Sequence, residues 1–374
     1  MTTNYILPAL GTLKKDIPTP ALLINLDGLE ANITNMAQFF EDKPAKLRPH
    51  FKTHKCPLLA QQQIKMGALG ITCAKLGEAN TLVDAGIGLK GSPTSILIAN
   101  QVVDPFKIAA LAEMNQNHVV MIAVDQENNL KQLSLAAKAA RCTIPILIEV
   151  DIGMHRCGVQ PGEMAIQLAN LASQLPNIQF KGIMGYEGHT VFETDPEKRM
   201  DNVRKAMAAL TNTATLIRQA GILVDIVSAG GTGTYNLTGL YPGVTEIQAG
   251  SYVFMDTKYR KMGLPFQNAL TLLATVISRP STGRAILDAG IKVLTTENGL
   301  PEVVDPSGAR LKALNEEHGI LELAPSQENL KVGERVELIP SHVCTTVNLH
   351  DRFYGMRTGR LEAIWPITGR GKSQ

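Results

Sequence analysis

Apolar residues along this chain fall into two textures. Between residues 45 and 256, short β-branched runs alternate with longer stretches whose apolar positions recur every three to four residues. The runs at 46–49, 70–73, 95–99, 119–124, 144–150, 180–185, 225–228 and 246–248 predict strands. Residues 57–66, 76–85, 129–140, 162–173 and 196–220 predict amphipathic helices. A strand–helix alternation without hairpin signals predicts a parallel sheet. Eight such units in roughly 210 residues suit a closed (β/α)8 barrel better than an open doubly wound sheet. The strands are apolar on both faces, as burial on both sides requires. Ile144-Pro145-Ile146-Leu147-Ile148-Glu149-Val150 is the clearest, with its proline near the start, where a missing N–H matters least.

After about residue 265 helical periodicity nearly vanishes. Runs at 270–278, 284–289, 319–322, 335–339 and 361–365 are separated by turns rich in Pro, Gly, Asn and Asp, which predicts a small antiparallel β domain joined by residues 7–24. The expected division is a barrel over 20–258 and a β domain over 259–374 with 1–19. With 44% hydrophobic and 19% charged residues, the 374-residue chain carries a core and is not disordered. Lys+Arg 36 against Asp+Glu 34 excludes a partner bound through non-specific charge, so no nucleic acid is expected. No apolar run approaches the ~18 residues of a membrane span, and residues 1–5 lack the basic start of a signal peptide. Five cysteines without a CxxC pair argue against a disulfide framework and for a reducing, cytoplasmic setting.

Three constellations carry candidate chemistry. Arg48-Pro49-His50-Phe51-Lys52-Thr53-His54-Lys55 follows the first barrel strand, at the rim where barrel enzymes gather their catalytic groups. A lysine partly desolvated there is a Schiff-base nucleophile, although the same pattern suits a solvated basic loop. Ser228-Ala229-Gly230-Gly231-Thr232-Gly233-Thr234-Tyr235-Asn236 follows a late strand, and Gly250-Ser251-Tyr252 the next. Glycines, hydroxyls and consecutive N–H groups at those positions suit a phosphate cup, or else plain glycine turns. Third, His342 and Cys344 in Ser341-His342-Val343-Cys344-Thr345-Thr346 share a face if the segment is extended. An imidazole and a thiolate form half of a zinc site, with a buried cysteine beside a bonded histidine as the alternative. Arg156 and Tyr186 follow two central strands and suit a planar ligand, and His189 suits proton transfer, with a surface arginine after a turn, a structural tyrosine and a plain rim histidine as the alternatives. Glu316-Glu317-His318 reads as a solvated turn or as carboxylates that orient a metal ligand.

Taken together, Arg-Pro-His-x-Lys-Thr-His-Lys, Gly-Thr-Gly-Thr-Tyr, Gly-Ser-Tyr-Val-Phe-Met-Asp, Glu-Glu-His-Gly and Pro-Ser-His-Val-Cys-Thr-Thr-Val-Asn-Leu resemble the D-threonine aldolase and eukaryotic-type D-serine dehydratase family, from about residue 17 to 351. The resemblance implies the alanine-racemase-like fold, pyridoxal 5'-phosphate, a divalent metal and a homodimer acting on a small amino acid. It makes Lys52 the Schiff-base lysine. Thr232, Gly233, Thr234, Gly250, Ser251 and Tyr252 become phosphate ligands, Arg156 and Tyr186 flank the pyridine ring, and His342 and Cys344 bind the metal. The thiolate favours zinc over manganese or magnesium. Aldolases of the family place Asp two residues after the metal histidine and dehydratases place Cys, so Cys344 leans towards dehydration. Gly185-Tyr186-Glu187-Gly188-His189 looks like the bacterial aldolases, and retro-aldol cleavage of a D-3-hydroxy amino acid is placed ahead. Dehydration to a 2-oxo acid and ammonia is the alternative, and racemisation the second. A non-enzymatic pyridoxal-phosphate-binding protein resembles a lone barrel, which the second domain argues against.

Overall fold

The structure, a computed structural model, describes residues 7–327 and 329–374, the side chain of Gln327 aside. Residues 1–5, on which the absence of a leader was read, lie outside that set. The chain divides into two compact units. One comprises Thr34–Lys52, Pro57–Gly250 and Lys372–Gln374, and the other the described residues up to Ile33 with Thr53–Cys56 and Ser251–Gly371.

Strands are numbered along the chain, and β1 (Ala21–Asn25) belongs to the second unit. The first contains β2 (Lys46–Leu47), β3 (Gly70–Cys73), β4 (Ser95–Ile98), β5 (Val120–Val124), β6 (Ile144–Glu149), β7 (Ile178–Met184), β8 (Ile226–Ala229) and β9 (Glu246–Ile247). All pair in parallel, in the order β2-β9-β8-β7-β6-β5-β4-β3. A parallel bridge between His50 and Thr72, with the Leu69 N–H donating to the Leu47 carbonyl at 2.9 Å, brings β2 and β3 together and closes the barrel. Leu97, Met121, Ala123, Leu147 and Met184 form one buried cluster, drawn from neighbouring strands at alternate positions as a filled barrel interior demands.

One buried polar network ties the wall together. The Arg48 guanidinium donates to both carboxylate oxygens of Glu246 at 2.9 and 2.6 Å, and to the carbonyl and hydroxyl of Ser95 at 3.0 and 2.9 Å. Gly70 is glycine for this reason: a Cβ there would lie 2.0 Å from the Ser95 carbonyl oxygen and 2.6 Å from Arg48 Nη1. Outside the sheet, helices Pro105–Asn117 and Pro196–Gln219 each start on an aspartate, Asp104 and Asp195, whose carboxylate accepts two N–H groups of the first turn.

The second unit holds β1 with β10 (Leu270–Ser281), β11 (Arg284–Leu287), β12 (Glu302–Asp305), β13 (Arg310–Leu314), β14 (Gly319–Glu322), β15 (Arg335–Ile339), β16 (Arg352–Arg357) and β17 (Arg360–Pro366). The order is β13-β14-β11-β10-β1-β16-β17, with β15 pairing with β10 and β12. The sheet is mixed, because β1 runs parallel to β16 while the remaining pairs are antiparallel. Among the described residues no helix is long and apolar enough to cross a membrane.

Candidate active site

Parallel strands end together, so residues that follow β2, β6, β7, β8 and β9 gather at one rim of the barrel. After β2 the chain makes a short 3-10 turn, Phe51–Thr53. The picture of a solvated basic loop fails here: Arg48, His50, His54 and Lys55 are 3%, 8%, 0% and 6% exposed, and of these basic residues only Lys52 is exposed. The His50 ring accepts the Lys52 N–H at 3.3 Å, which fixes the turn that carries the lysine. Lys55, the neighbouring amine, is committed elsewhere, with Nζ 3.4 Å from the Gly369 carbonyl oxygen.

The loop after β8 is organised by a residue to which sequence reasoning gave no role. Glu187 is fully buried, and its Oε1 accepts hydroxyl hydrogen bonds from Thr234 at 2.7 Å and Thr238 at 2.5 Å, while Oε2 accepts the Gly230 N–H at 3.1 Å. The Thr234 hydroxyl, expected to face an anion, points at this carboxylate and also accepts the Gly231 N–H at 3.2 Å. The glycines are explained by packing: a Cβ on Gly233 would sit 1.9 Å from the Val191 carbonyl oxygen, and one on Gly231 would press on the Tyr186 ring at 3.2 Å. Gly230 takes φ +82. Thr232 is buried in the same turn.

Tyr186 is half-buried, with Gly231 on one side and Gly188, whose Cβ would lie 2.5 Å from the ring, on another. The Arg156 guanidinium lies 6.0 Å from its ring centroid, at the outer limit for a cation–π contact. His189 is exposed and packs against Gly153, where a Cβ would approach its ring to 2.9 Å. Glu149 ends β6 in phase with the interior residue Leu147, is 5% exposed and accepts from Gln101 Nε2 at 2.5 Å. Burial pushes its carboxyl above the usual range, against the pull of the Gln101 amide and the Arg156 charge. An acid closing an apolar strand was the available sequence signal, and it went unused.

In the second unit, the segment 341–346 is not extended. His342 is extended (φ −147, ψ 118) and caps a short helix, Val343–Val347, that contains Cys344. The two side chains nevertheless meet in a hydrogen bond. His342 Nδ1 lies 2.7 Å from Glu297 Oε1, which also accepts from Thr345. Burial disfavours charge on His342, but Cys344, Glu297 and the Asp256 carboxylate prevail and raise its pKa to about 9. Cys344 Sγ lies 3.5 Å from Thr53 Oγ1 and 3.9 Å from Ser251 Oγ. Gly250 is buried at the end of the barrel unit, and Ser251 and Tyr252 are buried in the turn that opens this one. Glu316 and Glu317 do not orient a metal ligand; they pair with Lys292 at 3.5 and 2.6 Å, and Glu297 is the carboxylate that holds the histidine. Among the described residues no three His, Cys, Asp or Glu side chains converge as a metal cage.

Residues 24–258 match the alanine racemase N-terminal domain family, and 269–356 the putative serine dehydratase domain. A D-threonine aldolase of Arthrobacter sp is 39% identical over 96% of this chain and 94% of its own length. The chain belongs to the D-threonine aldolase and D-serine dehydratase family. The crystal structure of D-threonine aldolase from Filomicrobium marinum, 37% identical, superposes with a TM-score of 0.94 over 98% of this chain and 99% of that one. A D-threo-3-hydroxyaspartate dehydratase of Delftia sp. (strain HT23) is 29% identical over 88% of this chain and 92% of its own. The chain is thus an enzyme of the lyase class on an alanine-racemase-like fold, a family that implies pyridoxal 5'-phosphate.

Proposed function

We propose that this protein is a pyridoxal-phosphate- and divalent-metal-dependent lyase that cleaves a D-3-hydroxy amino acid, D-threonine-like, into glycine and an aldehyde. One observation carries the cofactor assignment: in a basic segment otherwise buried, Lys52 alone is exposed at the barrel rim. Lys52 holds the cofactor aldehyde. Thr232, Gly233, Thr234, Gly250, Ser251 and Tyr252 hold the phosphate; the part of Thr234 is to shape the turn, because its hydroxyl is engaged by Glu187 and its N–H donates to the Gly231 carbonyl at 3.2 Å. Arg156 and Tyr186 flank the ring, and exposed His189 moves a proton at the substrate. Bound there, the cofactor supplies an electron sink for the bond at Cα that stands perpendicular to its ring.

His342 and Cys344 hold the metal, and the donor chemistry fits. Glu297 fixes the imidazole through Nδ1, as carboxylates do for metal-binding histidines, and the thiol lies beside it. Imidazole with thiolate selects zinc ahead of manganese or magnesium. Two protein ligands leave open positions for a substrate hydroxyl, which a divalent ion acidifies. The enzyme acts as a cytoplasmic homodimer, a setting that matches five free cysteines.

D-threonine deuterated at Cα tests the reaction. Retro-aldol cleavage takes its electrons from Cα–Cβ, so the glycine formed retains the deuterium and acetaldehyde accumulates. Dehydration, the second reading, is favoured by Cys344 and has to break Cα–H, giving 2-oxobutanoate and ammonia with a primary isotope effect. Those products as the main yield sink the aldolase reading. The greater identity to the aldolase, 39% against 29%, supports cleavage.

A further inference from the structure

Glu187 is an unusual residue to bury. It is fully buried, and among the described residues it forms no ion pair. A buried carboxylate without a counter-ion is expensive to desolvate, and an apolar side chain in its place is the cheaper way to fill the space. What Glu187 faces instead is one stretch of chain. It takes the N–H of Gly230 directly and that of Gly231 through the Thr234 hydroxyl, and it anchors the following helix through Thr238. From another direction the same loop is pinned at Gly233 by the Val191 carbonyl, which leaves no room for a side chain.

We infer that Glu187 is a positioning residue for the cofactor phosphate: it draws the donors of Gly230, Gly231, Thr234 and Thr238 inward and so presets the rest of the loop for a dianion. This inference rests on the reading of residues 230–234 as part of the phosphate cup. Groups fixed before the ligand arrives cost little ordering when it binds, and they act at full strength on its charge. Glu187 touches neither the cofactor nor the substrate in this scheme. Its effect passes through the loop, and it is felt by the phosphate and not by the aldehyde that Lys52 captures.

The experiment separates those two ends of the cofactor. Full-length protein freed of cofactor is titrated with pyridoxal 5'-phosphate and with pyridoxal, which carries the same aldehyde but no phosphate, and the visible absorbance of the lysine adduct is followed. The wild-type protein prefers the phosphorylated form strongly. Glu187→Gln lowers that preference about tenfold or more, the scale of a lost hydrogen bond to a charged group, while pyridoxal affinity stays within about twofold. Thr238→Val, which removes one donor and keeps the shape, lowers it by a smaller factor and decides the matter alone if Glu187→Gln does not fold. A preference unchanged in the folded variants, with only the melting temperature reduced, overturns the inference and leaves Glu187 a packing residue. A wild-type protein that binds both compounds equally overturns the cup itself, and the inference with it.

Discussion

Seven of the eight residues from Arg48 to Lys55 differ from a solvated loop in one respect: they are buried, and the one exception is Lys52, the amine left open at the rim. Two lysines three positions apart look alike in sequence, and burial separates them. Lys55 has φ 49 and lies with its Nζ near the Gly369 carbonyl, whereas Lys52 is exposed at the rim. Borohydride reduction of the holoenzyme followed by peptide mapping is therefore expected to place the pyridoxyl group on Lys52, and label on Lys55 overturns the assignment. Lys52, Tyr186 and the glycine loop were legible because residue type and strand-end position coincide there. Glu187 and Glu297 were not, since nothing local marks an acid that binds residues 47 and 45 positions away. Glu316 and Glu317 were the more conspicuous acids, and they only face Lys292 on the surface.

At the scale of elements, the barrel strands announced themselves because both faces are buried, so each is a short unbroken apolar run. The strands that escaped notice, β12, β13 and β16, lie in the other sheet. β13 (Arg310–Leu314) alternates charge with apolar residues and is half exposed, and β16 is interrupted by Gly355, where a Cβ would meet Leu26 at 3.0 Å. The helix at 343–347 was missed for a related reason: five residues are too few for a helical period to show. Short β2 and β9 are two residues each, and the Arg48–Glu246 pair with its Ser95 contacts reinforces their brief parallel ladders in the wall. Both side chains are 4% exposed, so removing one leaves the other charged and buried. Arg48→Met is expected to lower unfolding stability by about 3–5 kcal/mol, read from denaturant melts. A loss below about 1 kcal/mol, the value of a surface pair, shows that the network is dispensable to the barrel.

For the whole molecule, both proposed metal ligands fall in one unit and most of the proposed cofactor residues in the other. Lys52, Arg156, Tyr186, His189, the loop at 230–234 and Gly250 belong to the barrel unit, and His342, Cys344, Asp256 and Glu297, with Ser251 and Tyr252, to the second. Within the second unit the Thr53 hydroxyl lies 3.5 Å from Cys344 Sγ. Because Lys52 and most of the proposed cofactor residues lie in the first set and both proposed metal ligands in the second, loss of the metal is expected to remove turnover without releasing the cofactor. Holoenzyme treated with a chelator and desalted is expected to keep its visible cofactor absorbance and its borohydride-reducible adduct while activity on D-threonine falls to a few per cent, and added zinc restores it. Cys344→Ala is expected to reproduce the chelated state without the chelator, because the softer of the two metal-binding side chains is gone while every barrel residue is intact. Cofactor release on chelation means instead that the metal organises the cofactor site. Full activity in metal-free protein or in Cys344→Ala reduces Cys344 to a buried thiol beside His342. If metal-free protein is fully active, the proposed retro-aldol chemistry has to be supplied by His189 and the barrel rim alone.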